Sequence, residues 1–274
     1  MFGKLLKNDL KAQWHSMNAI FLITFVVAAV AEALTIFSDN RIIRVMGGFL
    51  VFLALGFACL VTIIAVGLLF SKTMFGRAGY LTLTLPVKTD SLIISKTVSG
   101  LIWVFTVFSL FIGSFFLWIY QVKDELGEEV MHSVETILQF MGVPSVLTIT
   151  IAAACFCMSI AVWVLVVVQS VYLGITCSNV APVSKLGNFG AIIIFFATLC
   201  VVNTVSGAIS EIIPFGFVVT SEQVVITSQL AEAKAAAGSG ALALGLTGTI
   251  ARLILAVALH FPVSYLVKHR VNVK

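Results

Sequence analysis

The sequence predicts an all-α membrane protein with six transmembrane helices, and three observations carry that prediction. Hydrophobic residues make up 60% of the 274 positions and charged residues only 10%, whereas soluble domains carry about 25% charged residues. Several apolar runs exceed the roughly 18 residues that mark a spanning helix. The polar interruptions between these runs divide the basic residues unequally, as expected of loops on two sides of a membrane. The 22 phenylalanines and 20 glycines suit helices that pack closely in lipid.

The first element is an amphipathic interfacial helix over 1–16. Phe2, Leu6, Leu10 and Trp14 recur every four residues, while Lys4, Lys7, Asp9 and Lys11 occupy other faces. That pattern suits a helix lying among lipid headgroups. The first span is read at 17–37. Ala29, Val30 and Ala31 resemble a signal-peptide cleavage site, but the preceding basic region is long, so the span is expected to be retained. After a turn at 38–41, the second span covers 45–70. A cationic segment over 71–96 follows, with Lys72, Arg77, Lys88 and Lys96 against the single acid Asp90. The third span is 97–122.

Residues 123–142 carry Asp124, Glu125, Glu128, Glu129 and Glu135, with an apolar stripe at helical spacing, and are read as an extracellular surface segment. The fourth and fifth spans are 145–170 and 188–210. A second extracellular segment over 211–241 opens on an apolar stretch too short and broken to cross, which predicts a re-entrant or interfacial piece before the last helix. Thr220 and Ser221 suggest a cap for a helix over 222–237, ending at Gly238. The last span is 242–267. The whole chain, 1–274, is one transmembrane domain.

Placing the amino terminus inside puts eleven of the 16 Lys and Arg residues on the inner side and five, counting Arg252, on the outer side. The asymmetry sets both termini in the cytoplasm of a multi-pass protein of the cell membrane. The net charge of +4 is then a by-product of topology and predicts no nucleic-acid partner.

No set of catalytic residues stands out. The chain has no HExxH zinc motif, no GxSxG turn and no GxxxxGK[ST] phosphate loop, and its four histidines are scattered. The five cysteines fall mostly in apolar runs, and Cys155 and Cys157 form CxC without a nearby histidine, so they read as packing residues. No metal, cofactor or catalytic residue is therefore assigned. Ionisable residues inside spans are the natural functional candidates because burying them is costly. Glu32 and Arg252 both fall in outer halves of their spans and are candidates for an ion pair or a polar pathway. His260 precedes Pro262, where a bend is expected. Gln169, Asn203 and Glu211 are further polar residues at span centres or ends.

The segment after the second span adds a resemblance. Gly79, Tyr80, Leu81, Thr82, Leu83, Thr84, Leu85, Pro86 and Val87 are followed by Leu92 to Lys96 and then Trp103. This pattern resembles the corresponding loop in type-2 permease subunits of ATP-binding-cassette exporters, including the lantibiotic, bacteriocin and drug exporters of Gram-positive bacteria. The close similarity covers about thirty residues; the remainder agrees in plan. The resemblance implies that this loop is a coupling helix docking into a separate ATPase subunit, through Gly79, Tyr80, Leu81, Leu83, Leu85, Pro86 and Asp90. It also implies a contribution from the amino-terminal helix, and ATP and magnesium held by the partner rather than by this chain. On the residues alone, Pro86 interrupts a helix and Thr89 or Asp90 starts the next. The alternation of Leu81, Leu83 and Leu85 leaves open whether they form an extended piece or a helix edge.

The expectation is a transport subunit without its own enzymatic site. Two permease chains, identical or similar, would export a peptide, lipid or drug-like amphipathic substrate by alternating access. Competing readings are a membrane sensor or immunity protein that captures an antimicrobial peptide on its outer face, and a secondary transporter.

Overall fold

The computed structural model describes residues 2–37, 41–76, 79, 88–122, 146–180, 183–219, 224–229 and 242–269. Six long helices organise these residues: α1 (Phe2–Phe37), α2 (Arg41–Met74), α3 (Thr89–Val122), α4 (Val146–Ser178), α5 (Gly187–Ile212) and α6 (Thr247–His269). Each contains a stretch long and apolar enough to cross a membrane. Three short strands, β1 (Gly216–Val219), β2 (Val224–Thr227) and β3 (Leu242–Gly245), lie between α5 and α6.

The chain divides into two compact units. The first comprises Met1–Gly127, Ile175–Asn188 and Val263–Lys274, and the second comprises Glu128–Gly174 and Phe189–Pro262. In the first unit, α1, α2 and α3 pack against one another. The 36 residues of α1 give a rod of roughly 54 Å, well beyond a hydrocarbon core of about 30 Å. The sequence reading divided this region at residue 16, but the helix passes that point unbroken. Gln13, Met17, Thr24 and Ala28 are buried, whereas Phe2 and Trp14 are exposed. Positions four and seven apart share a helix face, so the buried stripe of α1 continues the face that carries Leu6 and Leu10, which are half-buried, with Phe2 and Trp14 at its exposed edges. Further along, Ala28 packs with Val51 and Leu55 of α2.

The other helix limits refine the predicted spans. α3 begins at Thr89, eight residues before the expected span, and α4 continues to Ser178 beyond its expected end. Between α4 and α5 the chain makes a single 3-10 turn, Val183–Leu186, and Gly187 takes φ of 52°, a left-handed conformation that glycine adopts without steric cost. Asn179 donates its side-chain amide to the Ile175 carbonyl at 2.8 Å, satisfying a terminal carbonyl of α4.

In the second unit, Val166, Val202 and Ala256 form a buried cluster joining α4, α5 and α6. Gly174 permits close approach: a Cβ there would stand 2.6 Å from the Ala191 carbonyl oxygen. Small residues serve this purpose between membrane helices.

The segment before α6 corrects the all-α prediction. β1 lies at the centre of an antiparallel sheet in the order β2-β1-β3, with Phe217 opposite both Ile226 and Leu244. The helix expected over 222–237 is replaced at Val224–Thr227 by β2, and the last span starts at Thr247 because Leu242–Gly245 is β3. The physical reason is local. Val224, Val225, Ile226 and Thr227 are consecutive β-branched residues, which lose side-chain freedom in a helix and pack well on a pleated surface. The expected re-entrant stretch leaves α5 at Ile212 and enters β1 at Gly216. The acidic segment 123–142 and the alanine-rich part of 211–241 lie outside the described residues.

Candidate coupling site and intramembrane polar residues

The cationic segment over 71–96 is rooted in the two helices that bracket it. On the entering side, α2 ends with Met74 and Phe75 buried and the Phe70 and Phe75 rings edge to face at 5.9 Å. The chain then curls back on itself. Gly79 donates its amide to the Gly76 carbonyl at 2.7 Å. A Cβ on Gly76 would stand 2.5 Å from the Lys72 carbonyl oxygen, and one on Gly79 would collide with that of Met74. Both glycines are thus required by backbone that cannot move aside as a flexible side chain would. Tyr80, Leu81, Leu83, Leu85 and Pro86 lie outside the described residues.

On the leaving side, the amides of Ser91 and Leu92 donate to the Lys88 carbonyl, so the backbone turn of α3 opens on Lys88. The carboxylate of Asp90 accepts a hydrogen bond from the Ser264 hydroxyl of α6. Asp90 was expected as a possible cap. Instead it ties the start of α3 to the end of α6, and its charge still favours the positive end of the α3 dipole.

One turn deeper, α3 is braced against α1. Lys96 donates to Asp9 at 3.1 Å and Ser95 donates to the other carboxylate oxygen at 2.5 Å. The Lys96 side chain is 5% exposed and that of Asp9 14%. Gln13 donates its amide to the Ser99 hydroxyl at 3.0 Å, and that hydroxyl donates to the Lys96 carbonyl. Beyond them, Trp14 and Trp103 stand with ring centroids 5.7 Å apart. Residues 9, 13 and 14 thus meet 95–96, 99 and 103 in rising order, so α1 and α3 run parallel along this ladder.

Sequence reasoning did not find the ladder. It treated Lys96 as one of four cations that set topology, and Asp9 as a residue of a headgroup-exposed face. The available signal was a pair of polar residues four apart on each partner, Asp9 with Gln13 and Ser95 with Ser99. Such spacing places both members on one helix face, though it does not say which helices pair.

Of the intramembrane candidates, Glu32 sits half-buried in α1 with Oε1 covered, and Arg252 sits half-buried in α6 with Nε covered. Glu32 belongs to the first compact unit and Arg252 to the second. Gln169 is buried in α4, whereas Asn203 and Glu211 lie exposed on α5. His260 is half-buried, its ring 6.4 Å from that of Phe261. Pro262 is accommodated within α6, which continues to His269.

No family model, curated protein or solved structure matches this chain.

Proposed function

We propose that this chain is the permease subunit of an ATP-driven exporter in the cell membrane, with both termini cytoplasmic and a separate ATP-binding-cassette ATPase docked on residues 79–90. A second permease chain completes the pathway, and an amphipathic peptide, lipid or drug-like molecule is moved by alternating access. ATP and magnesium belong to the ATPase partner.

The observation that carries the reading is the bracing of the docking segment's roots. A loop that conveys force from an ATPase must be anchored stiffly, because otherwise the partner's movement is absorbed in bending. Here the entering root curls against the last turn of α2 through Gly76 and Gly79. The leaving root is tied to α6 by Asp90 and to α1 by the buried Asp9, Ser95 and Lys96 group. Displacement of residues 79–90 therefore reaches α1, α2, α3 and the end of α6 together.

The test is co-purification of the chain with an ATPase encoded beside it. Leu83→Asp and Leu85→Asp place a charge where the docking surface is expected. These variants should retain the thermal stability of the native chain and lose the ATPase. Recovery of a full complement of ATPase with either variant overturns the proposal.

A further inference from the structure

The second unit brings two buried polar residues of α4 level with half-buried polar residues of α5 and α6, beside an apolar groove. Gln169 and Ser170 of α4 are 4% and 0% exposed. Gln169 Oε1 and Ser170 Oγ are buried without a hydrogen-bond partner among the described residues. Orphaned polar atoms are uncommon in folded proteins and call for an explanation, the more so in a membrane, where lipid supplies no substitute partner.

The packing register shows what lies level with them. Gly174 meets Ala191 and Val166 meets Val202, so α4 and α5 run antiparallel with Ser170 level with Thr198. Gly248 meets Ser210, and Val202 meets Ala256, so α5 and α6 also run antiparallel, with Thr198 level with His260. By helical rise, Thr198 lies roughly 17 Å from the first residue of α5 and roughly 21 Å from the last. The polar level is therefore near the middle of a span.

A groove of about 390 Å³ opens at this level, with walls that include Leu173, Thr198, Val202, Ala258 and Leu259. Its volume falls in the roughly 300–1,000 Å³ range of small-molecule sites. Thr198 contributes the one polar side chain among the described residues that line it. The Thr198 hydroxyl donates to the Ile194 carbonyl at 2.7 Å, which leaves its oxygen free to accept. Gln169 and Ser170 stand four and three residues before Leu173, so both lie on the helix stripe that Leu173 presents to the groove.

We propose that this level of the second unit binds an amphiphile whose neutral, hydrogen-bond-donating group, an amide or hydroxyl, meets Gln169, Ser170 and Thr198 while its hydrocarbon part fills the groove. The acceptors select a donor. Arg252 lies eight residues before His260 on α6, and its positive charge disfavours a cationic head. A plain alkyl chain would fill the groove and leave the acceptors unanswered.

The experiment uses the full chain alone in nanodiscs, without any ATPase. Its failure therefore leaves the permease reading standing, and loss of ATPase docking leaves this site standing. The probes are a medium-chain alkyl diazirine ending in a primary amide and the same chain ending in a methyl group. Photolabelling is mapped by mass spectrometry. The amide probe should label residues 169–173, 194–202 and 255–260 saturably and about tenfold better than its methyl counterpart, the factor expected for one net hydrogen bond. Gln169→Leu with Ser170→Ala should erase that preference without loss of thermal stability, because removing an orphaned polar atom relieves a cost. Ala258→Phe should abolish labelling by both probes. Equal labelling by the two probes in the native chain overturns the proposal, as does an amide preference that survives Gln169→Leu with Ser170→Ala. Labelling indifferent to Ala258→Phe would mean bulk-lipid partitioning, and cross-linking of two chains through the groove would mean a second copy covers it; either result overturns the proposal.

Discussion

Lys96→Met is the most direct test of the brace between α1 and α3. The substitution keeps most of the buried hydrocarbon stem and removes the ammonium that faces Asp9. Ser95 then remains as the hydrogen-bond donor to a carboxylate only 14% exposed. Breaking a buried pair from one side costs about 3–5 kcal/mol, because the remaining charge is left uncompensated. Asp9 retains some access to the surface, so the lower end, about 3 kcal/mol, is expected. At roughly 2–4 °C per kcal/mol for a chain of this order of size, the melting temperature of the detergent-solubilised protein should fall by about 10 °C. Asp9→Leu combined with Lys96→Met removes both charges and should recover most of the loss, since an apolar replacement of a buried pair is often neutral or stabilising. The cycle of single and double variants isolates the coupling. If Lys96→Met melts within a degree of the native protein, or the double variant is as unstable as the sum of the singles, the pair does not act as a buried brace.

Other consequences can be measured in the same way. Gly174→Ala should destabilise by about 1–3 kcal/mol, as overpacking does, because its Cβ would meet the Ala191 carbonyl. Gly56→Ala and Gly113→Ala, with nothing within 4 Å, should be neutral or gain up to about 1 kcal/mol in helix propensity; thermal melts distinguish the two classes. Gly79→Ala should lower thermal stability and weaken ATPase association, since the Met74 carbonyl occupies the space of its Cβ. Asp90→Ala and Ser264→Ala should each cost only about 0.5–1.5 kcal/mol, the range for an ordinary hydrogen bond, and their effects should not add; additive losses would show that the two residues act separately. Val218→Asp, at a position 2% exposed in the central strand, should cost several kcal/mol for burying an unpaired charge. An unchanged melt in that variant would refute the burial of β1.

The parts of the fold that were legible in the sequence are those encoded by one segment's own composition. Six apolar runs give six helices because a long run of hydrocarbon side chains needs no partner to be recognised. The limits shifted where a helix continues into polar sequence, as α3 does from Thr89 and α1 does through its amino-terminal turns. Hydropathy marks where lipid would cover a helix, not where backbone hydrogen bonding stops. The strand at Val224–Thr227 was hidden by a plausible cap before it and alanines after it, although four adjacent β-branched residues favour the extended form. The candidate site was less legible still. Gly79 entered only as one residue of the segment that carries the resemblance, and its close approach to the carbonyl of Met74 is visible only in the folded chain. Asp9 and Lys96 are 87 positions apart, and nothing in either neighbourhood names the other as its partner. Gln169 was noticed as a polar residue within a span, while its level with Thr198 and His260 depends on interhelical register.

The junction at Phe215 sets a tolerance on the length of the chain before α6. The Phe215 carbonyl accepts from the Leu246 amide at 3.0 Å, the Thr247 amide at 3.3 Å and the Thr247 hydroxyl at 3.2 Å. Leu246 is the sole residue between β3 and α6. An inserted or deleted residue there would rotate every later side chain of α6 by about 100°, carrying Ala256 away from Val166 and Val202. Length variation in this protein should consequently be excluded from 245–247 and accepted in the stretch between β2 and β3, where an added residue leaves the phase of α6 unchanged.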